Sequence, residues 1–258
     1  MDVSTLPTNL LLSSLSSNAR AALLKHATTV QLPVRTVLFV EDSQPRHIYF
    51  LLSGLASVIT IMPNGESADV GFIGREGLVG SLHLLGSASL SIRSIMQLPG
   101  SALRVPFTDV QQCLGDCAEV RSKILQFQQQ QSAVVAQIAG CCRLHHAEQR
   151  LIRCLLTAQD LTGYDTLNFT QDYLAQMIGT QRSTVSIIAG NLQRCGLIGY
   201  SRGRVRIQNR AGLEAAACAC TRTIRCLFNR LYQANSPAML QSPRPLVGAP
   251  NQSISAAP

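Results

Sequence analysis

The sequence lacks long apolar runs and a recognisable secretory signal. The run Leu10-Leu11-Leu12 is short and is soon followed by serines, so it predicts neither a membrane span nor the apolar part of a signal peptide. The nine cysteines are scattered and odd in number, which favours a reducing cytoplasm over a disulfide-bonded secreted protein. We therefore expect a cytoplasmic protein with no membrane partner.

Recognisable catalytic motifs are also missing. The 258 residues contain no nucleophile elbow, no phosphate-binding loop and no metal-ligand motif of good spacing. An enzyme is therefore the weakest of the functional hypotheses, and we expect neither a catalytic residue nor a bound metal.

Lysine is absent from residues 143–230, yet this segment holds the basic excess of the chain. It contains twelve Arg and five acidic residues, whereas residues 1–142 contain nine basic and nine acidic residues. The formal net charge of the whole chain is +8. Positive charge concentrated in one segment is typical of a domain that binds a polyanion.

Within this basic segment, the sequence predicts two short helices joined by a tight turn. Thr170 is a suitable N-cap for the first helix, and Gly179 has the backbone freedom that a tight turn needs. Thr180 would cap a second helix over residues 181–194, and Gly196 would follow its C-terminus. Its inner face would consist of Val185, Ile188 and Leu192. This arrangement is a helix-turn-helix.

The outer surface of this motif is polar and basic. Arg202-Gly203 predicts a turn, and the alternation in Arg204-Val205-Arg206-Ile207 places both arginines on one face of a strand. A basic hairpin beside a recognition helix holds phosphates. Helix-turn-helix units also occur as plain packing units, but the basic hairpin argues against that alternative here. The residues expected to face outward at the start of the second helix are Gln181, Arg182, Ser183 and Ser186.

The first hundred residues have a different sequence pattern. We expect residues 1–15 to be weakly ordered, and Ser17 or Asn18 to cap a short helix that ends near His26. Beyond it, short runs of Val, Ile, Leu and Thr alternate with turn residues, and Pro63-Asn64-Gly65-Glu66 predicts a hairpin. Such regular short strands indicate a small β-barrel or β-roll. The predicted strands are residues 37–40, 48–52, 56–61, 69–73, 91–97 and 102–105.

A long helix is predicted over residues 108–140. It carries a heptad seam, which either lies on the barrel of its own chain or pairs with the same helix of a second copy. We favour the symmetric dimer, because paired recognition helices read paired half-sites. The seam residues proposed for the dimer are Val120, Ile124, Phe127, Gln131, Val134 and Ile138.

The pattern breaks near Gly140, and a new helix is predicted over residues 145–157. After the basic hairpin, residues 210–231 are predicted as one helix, whereas the Pro- and Ser-rich end is predicted to be disordered. The predicted divisions are a sensor β-roll (15–107), a dimerisation helix (108–140), a DNA-binding domain (143–230) and a tail (231–258).

In this order, the pieces resemble the Crp–Fnr superfamily of bacterial transcription regulators over residues 15–230. The motifs that carry the resemblance are Tyr49-Phe50-Leu51-Leu52-Ser53-Gly54, the strands through Ile73-Gly74 and Gly80, and the helix-turn-helix. The resemblance implies an α+β fold with a cyclic-nucleotide-binding-type β-roll, a long dimerisation helix and a winged helix-turn-helix. It also implies a homodimer that binds double-stranded DNA, with RNA polymerase as a further candidate partner.

The resemblance places the major-groove contacts at the start of the second helix. Arg182 matches the family arginine that reads a guanine, and its guanidinium suits guanine O6 and N7; the alternative is a phosphate contact. Ser183 and Ile187 replace a glutamate and a second arginine of the catabolite activator, so we expect a different operator. The candidate DNA-contacting residues are Thr170, Gln171, Gln181, Arg182, Ser183, Thr184, Ser186, Arg202, Arg204 and Arg206.

The sensor half departs from the family members that bind cyclic AMP. Where they carry a Gly-Glu pair this chain has Gly80-Ser81, and where they carry Arg-Ser or Arg-Thr it has Leu90-Ser91. A cyclic phosphate buried without its cation is unfavourable, so we expect no cyclic-AMP binding in the usual mode. Arg93 is nearby but out of register. The effector is thus unknown, and the candidate pocket residues are Gly80, Ser81, Leu82, Leu90, Ser91 and Arg93.

Other sensors of the family use iron–sulfur clusters or haem. The cluster-binding members carry an N-terminal cysteine group, whereas the first cysteine here is Cys113. Cys218-Ala219-Cys220 with Cys226 could form a metal or redox site, but we favour plain packing of an Ala-rich helix. Cys141-Cys142, His83, His145 and His146 are weaker candidates still. A sensor or scaffold that responds to cyclic nucleotides, without an operator of its own, is the alternative function.

Overall fold

The computed structural model describes residues 8–86 and 90–233 of the chain. It is a mixed α+β structure, as the sequence predicted, with a β-rich N-terminal part, a long helix and a mainly helical C-terminal part. No helix within these described ranges combines the length and the apolarity that a membrane crossing requires. Residues 234–258, which make up most of the predicted tail, lie outside the described residues.

The N-terminal part is a β-roll of two four-stranded antiparallel sheets. The strand orders are β1-β8-β3-β6 and β2-β7-β4-β5, and apolar side chains from both sheets, including Leu51, Ala56 and Met96, share one core. Two short strands, β1 and β6, were not predicted. The strands are β1 (Thr28–Leu32), β2 (Val37–Phe39), β3 (His47–Leu51), β4 (Leu55–Ile61), β5 (Ser67–Ile73), β6 (Leu78–Val79), β7 (Ile92–Leu98) and β8 (Gly100–Pro106).

Gly54 explains why the Tyr49–Gly54 motif ends in glycine. Its φ is +82°, and a Cβ at this position would lie 2.8 Å from the carbonyl oxygens of both Leu98 and Pro99. Only glycine combines this backbone conformation with so close an approach of the neighbouring chain. The motif therefore serves the closure of the roll.

Residues 9–15 are better ordered than predicted. They include a short helix, α1 (Leu10–Ser13), capped by Asn9, whose side chain also donates to the carbonyl oxygens of Leu51 and Gly77. Leu11 is fully buried in the core below the roll. The prediction of weak order was therefore wrong for residues 9–15, because apolar packing outweighs the serine-rich composition; residues 1–7 lie outside the described part of the chain.

The second helix begins one residue earlier than predicted. It is α2 (Ser17–Leu23), and its N-cap is Ser16, whose hydroxyl accepts from the amide of Ala19. The predicted caps, Ser17 and Asn18, already lie in the helix. Ser16 is also held by Glu119, which accepts hydrogen bonds from its amide and its hydroxyl.

The predicted long helix consists of two helices, α3 (Phe107–Asp116) and α4 (Ala118–Leu144). The chain is extended at Cys117, which separates them, and α4 continues through Gly140 where a break was predicted. A 3₁₀ helix, Ser81–Leu85, packs near α4.

The heptad seam of α4 is occupied within the chain itself. Val120, Ile124 and Phe127 are fully buried in a core shared with the β-roll, and Val134 is buried in the core of the C-terminal part. The assignment of this seam to a dimer interface was therefore wrong, and the alternative that the helix lies on its own barrel is correct for these residues. Gln131 and Ile138 are only half-buried.

The C-terminal part contains five helices and a small three-stranded sheet of order β10-β11-β9. The helix predicted over residues 145–157 is α5, which starts and ends later. The helix predicted over residues 210–231 is interrupted at residues 217–219, giving α8 and α9. The elements are α5 (Ala147–Thr162), β9 (Thr166–Leu167), α6 (Gln171–Ile178), α7 (Arg182–Arg194), β10 (Ile198–Ser201), β11 (Arg204–Ile207), α8 (Arg210–Ala216) and α9 (Cys220–Gln233).

Helix α9 returns along α4 to the N-terminal part. Leu231 is buried in the core below the roll, and the Tyr232 hydroxyl donates to the backbone oxygen of Glu76. The predicted disordered tail therefore begins too early, since residues 231–233 belong to this helix.

Candidate nucleic-acid interface

The helix-turn-helix consists of α6 and α7. The Thr170 hydroxyl accepts from the Tyr173 amide at 3.2 Å, as expected of an N-cap, and Gly179 has a φ of +61° in the turn. Thr180 is not the cap of α7, contrary to the prediction. Its amide donates to the Ala175 carbonyl at 3.0 Å, so Thr180 completes the end of α6 instead, and Gln181 is the N-cap residue of α7.

Helix α7 has one buried face and one polar exposed face. The predicted inner residues Val185, Ile188 and Leu192 are all buried. On the opposite face, Arg182 forms an ion pair with Asp172 of α6 at 3.5 Å, and both side chains are largely exposed, at 67% and 76%. Such exposed pairs are weak, so Arg182 can exchange Asp172 for another partner. Of the other candidates, Gln181, Ser183 and Ser186 are exposed and Thr184 is half-buried.

The basic hairpin, here called the wing, is formed by β10 and β11 with Arg202 and Gly203 at its tip. Both tip residues have positive φ, +48° and +74°, as a two-residue hairpin turn requires. Arg204 and Arg206 are exposed, whereas Val205 and Ile207 are buried, which confirms the predicted alternation.

The wing tip lies beside the start of α6. A Cβ on Gly203 would be 3.4 Å from the Thr170 side chain. The Tyr200 hydroxyl of β10 donates to the Phe169 carbonyl at 3.1 Å, which fixes the wing against the same end of α6. The structure thus brings the Thr170–Gln171 end of α6 and the wing together on one surface. From the sequence, Tyr200 was not assigned this role in fixing the wing. Its position in the predicted hairpin, opposite Val205, could have identified it as a wing residue.

Some of the arginines counted in the basic segment are not free for a ligand. Asp160 of α5 pairs with Arg210 and, at 2.8 Å, with Arg225, and Glu214 contacts both arginines. This network fastens α8 and α9 to α5. The exposed basic charge therefore concentrates on the wing and α7 more than the sequence count indicates.

A second network joins the two halves of the chain. Asp69 of β5 accepts from the Ser57 hydroxyl and from the Tyr173 hydroxyl of α6, the latter at 3.2 Å. Burial raises the pKa of Asp69 to about 7, although these hydrogen bonds and Arg153 act in the opposite direction. Gln176 of α6 adds a 2.8 Å hydrogen bond to Ser67. The first helix of the helix-turn-helix therefore lies directly against a sensor strand.

The predicted effector residues are distributed over both sheets. Gly80 and Ser81 follow β6 of the first sheet, and the Gln128 side chain of α4 donates to the buried Ser81 hydroxyl. Arg93 lies in β7 of the second sheet, opposite Ile59, and its Nε is buried without a partner among the described residues. Of the remaining candidates, Leu82 and Ser91 are exposed and Leu90 is half-buried.

Comparison with known proteins agrees with this architecture. The cyclic nucleotide-binding domain family matches residues 29–117, and the Crp-like helix-turn-helix domain family matches residues 149–216. Together the two matches span more than half of the sequence and coincide with the β-roll and the winged helix-turn-helix. The chain belongs to the Crp–Fnr superfamily.

Solved structures of this superfamily share the fold. The c-di-GMP-responsive global regulator CLP of Xanthomonas campestris is 16% identical, with a TM-score of 0.63 over 75% of this chain and 100% of its own. A putative Crp/Fnr regulator of Eubacterium rectale is 15% identical, with a TM-score of 0.64 over 82% and 97%. FixK2 of Bradyrhizobium japonicum is 17% identical, with a TM-score of 0.63 over 75% and 98%. Among curated proteins, no sequence matches the chain.

Proposed function

We propose that this Crp–Fnr member is a homodimeric transcription regulator that reads a two-half-site operator in the cytoplasm. The observation that carries the proposal is one exposed surface at the start of α6, where Asp172 pairs with Arg182 of α7 and Thr170 lies beside the wing tip. Side chains on a recognition helix read base edges, and a flanking basic hairpin neutralises phosphates. Arg182 and Gln181 read bases, with Ser183, Thr184 and Ser186 beside them. Thr170, Gln171, Arg202, Arg204 and Arg206 hold the backbone.

The dimer uses the face of α4 that the chain leaves uncovered. Exposed positions recur along this face at heptad spacing, and residues 124–142 contain no charged side chain at all. A surface helix normally carries charges on its solvent side, so a long uncharged face favours contact with a second copy. The exposed heptad positions are Ala118, Ser122, Leu125, Gln129, Ser132, Ala136 and Ala139.

The signal reaches the DNA-binding half through α4 and through the contact of α6 with β5. Ser81 of the effector region is hydrogen-bonded to Gln128 of α4, and Asp69 of the sensor is hydrogen-bonded to Tyr173 of the helix-turn-helix. An effector that favours one arrangement of these contacts shifts the population of DNA-binding dimers. The proposed sensor spans residues 15–107, the helical link residues 108–140 and the DNA-binding domain residues 143–230, and α9 continues to Gln233 before the tail. RNA polymerase is a further partner of this proposal.

The division of labour between base and phosphate contacts gives the first prediction. Arg182→Ala should weaken binding to the specific operator by about 1–3 kcal/mol, since a lost bidentate guanine contact has this magnitude. Arg204→Ala should weaken binding to specific and random DNA alike and reduce the slope of log affinity against log salt by about one. Operators are first selected from genomic fragments, and affinities are then measured by fluorescence anisotropy at several salt concentrations.

Arg20→Ala provides the control, because it removes the same charge from an exposed position on α2 of the sensor. It should leave both affinities unchanged. Equal losses for Arg182→Ala on specific and random DNA would show that Arg182 holds a phosphate. An absence of any specific fragment would favour a sensor without its own operator.

Cyclic AMP should not change operator affinity. Ser81 and Leu90 stand where cyclic-AMP binders carry their glutamate and arginine, so no cation is placed for the cyclic phosphate in the usual mode. The measurement is operator binding by the full chain with and without saturating cyclic AMP. Binding that appears only with the nucleotide, and that Arg93→Ala abolishes, would contradict the prediction and identify Arg93 as the cation.

A further inference from the structure

Four potential metal ligands meet where the long helix ends. Cys141 lies in the last turn of α4 and His145 directly follows that helix, whereas Cys218 lies between α8 and α9 and Cys220 is the first residue of α9. One ligand atom from each residue lies within 4.8 Å of the other three. The Sγ atoms of Cys141 and Cys218 are 3.8 Å apart, and Cys220 Sγ is 3.5 Å from His145 Nδ1.

Local structure explains why these residues converge. His145 is the C-cap of α4, and its amide donates to the Cys141 carbonyl at 3.1 Å, which keeps the two residues together at the helix end. Cys218 lies within the break between α8 and α9, and Cys220 is the first residue after it. Because the chain is not helical at residues 217–219, two thiols separated by one residue can point to the same side.

The distances match tetrahedral coordination. With zinc–sulfur bonds of about 2.3 Å and zinc–nitrogen bonds of about 2.0 Å, a tetrahedron has sulfur–sulfur edges of about 3.8 Å and sulfur–nitrogen edges of about 3.5 Å. The two pairs in the structure have these separations before any ion is added. Three thiols and one imidazole are also a ligand set typical of structural zinc.

We propose that Cys141, His145, Cys218 and Cys220 form a closed zinc site that fastens the start of α9 to the end of α4. The plain packing role favoured from the sequence does not account for a histidine facing three thiols. The third cysteine of the C-terminal group, Cys226, is exposed and is not part of the site. The proposal is independent of DNA binding.

The surroundings suit a thiolate-rich metal site. Cys141, Cys218 and Cys220 are almost fully buried, with exposures of 0%, 6% and 5%. The Gln137 side chain donates to Cys220 Sγ at 3.1 Å, the kind of hydrogen bond that supports a metal-bound sulfur. Three thiolates and Zn²⁺ leave one net negative charge.

Arg153 supplies a positive charge near this site. It is 4% exposed, and its Nε has no hydrogen-bond partner among the described residues. Its charge lies close enough to Cys141 to interact with the sulfur electrostatically. The same charge would offset the net negative charge of a zinc–thiolate centre.

A zinc ion at this site would crosslink the end of α4 to the start of α9. Helix α9 runs from these cysteines along α4 and ends with Leu231 in the core below the sensor. Zinc would therefore fix α9 at one end, while apolar packing fixes it at the other. Because metal bound only by the folded state adds its binding free energy to folding, this crosslink should raise the thermal stability of the whole chain.

Cobalt is the probe, because Co²⁺ occupies tetrahedral thiolate sites and reports on them by absorption. The full chain is purified under reducing conditions, stripped with a chelator and titrated with Co²⁺ and then Zn²⁺. We expect one equivalent of Co²⁺, thiolate-to-cobalt absorption, tetrahedral ligand-field bands and displacement by Zn²⁺. Cys218→Ser and Cys220→Ser should each weaken Co²⁺ binding at least tenfold. Loss of a residue that only hydrogen-bonds to a metal ligand lowers metal affinity by about 10–100-fold, and loss of the ligand itself lowers it more.

Cys226→Ser is the matched control, since this exposed cysteine lies on the same helix; it should bind Co²⁺ like the unmodified chain. Far-UV circular dichroism verifies that each variant is folded. If a serine variant does not fold, His145→Gln is used in its place to test the loss of a ligand. Octahedral or absent Co²⁺ signals from the unmodified, fully reduced chain would overturn the proposal. So would a Cys141–Cys218 disulfide that forms in air and that excess Zn²⁺ does not prevent.

Discussion

Ala136→Glu should convert the dimer into a folded monomer and weaken operator binding by about 10²–10⁴-fold, the usual gain from linking two binding modules. Ala136 is an exposed position in the C-terminal half of the uncovered face of α4. In a twofold-symmetric helix pair, each copy presents this face to its own counterpart. Two glutamates would then be desolvated and brought close together, which is strongly unfavourable.

The folding of the monomer should not suffer, because Ala136 is exposed in the single chain and glutamate is a good helix former. A large substitution in the buried seam would act differently. Phe127→Ala removes a fully buried ring from the core below the roll and should lower the free energy of unfolding by about 3–5 kcal/mol. The two variants therefore separate the two faces of one helix.

Light scattering after gel filtration gives the oligomeric state, and anisotropy gives the operator affinity. Ala22→Glu is the control, since Ala22 is an exposed helical alanine in the sensor; it should remain dimeric with full affinity. A dimeric Ala136→Glu chain with unchanged affinity would place the interface elsewhere.

The helix-turn-helix could be predicted because its signals are local. The Thr170 cap, the Gly179 turn, the apolar spacing of α7 and the alternation of β11 each follow from a few adjacent residues. The Thr180 cap was wrong because two motifs compete for the same residue. Its amide completes the end of α6, and α7 begins at Arg182 without a side-chain cap.

The heptad seam shows the limit of a periodic pattern. Val120, Ile124 and Phe127 were correctly predicted to be buried, but periodicity does not indicate which surface buries them. The roll of the same chain is available at higher effective concentration than a second copy. The uncovered face is uncharged but weakly apolar, so an apolar pattern does not reveal it.

Contacts between distant residues could not be predicted from one sequence. The Asp69–Tyr173 hydrogen bond joins residues 104 positions apart, and the Cys141–Cys218 contact joins residues 77 positions apart. Each depends on how the two halves of the chain pack. The sequence supplied candidates, including Cys218 and Cys220, but it linked them to Cys226 rather than to the end of α4.

Asp69, which accepts a hydrogen bond from Tyr173, should make the stability of the folded chain depend on pH. Burial raises the pKa of Asp69 from 3.8 to about 7, with Ser57, Tyr173 and Arg153 acting against that rise. Between these values the folded chain retains a proton that the unfolded chain has lost. The stability from this group is therefore fully present below about pH 4 and is lost as the pH rises through about 7. One pKa unit is worth about 1.4 kcal/mol, so the loss is at most a few kcal/mol.

Asp69→Asn should remove this part of the pH dependence. An amide keeps the shape and can still accept from Tyr173, but it carries no charge to bury. The stability of the variant relative to the unmodified chain should therefore increase between about pH 4 and about pH 8, by up to a few kcal/mol. Urea unfolding at a series of pH values measures it.

Glu76 must be separated from Asp69, because burial raises its pKa to about 7 as well. Glu76→Gln should remove a similar pH dependence of the free energy of unfolding, while the contact of α6 with β5 stays intact. Of the two variants, only Asp69→Asn changes a group that touches the helix-turn-helix. Glu66→Gln, at an exposed hairpin position, should leave the pH profile unchanged. Tyr173→Phe removes one of the hydrogen bonds that lower the pKa of Asp69, so the loss of stability should shift toward higher pH. If the profile of Asp69→Asn matched that of the unmodified chain, Asp69 would be ionised in the folded protein and the contact would not respond to pH.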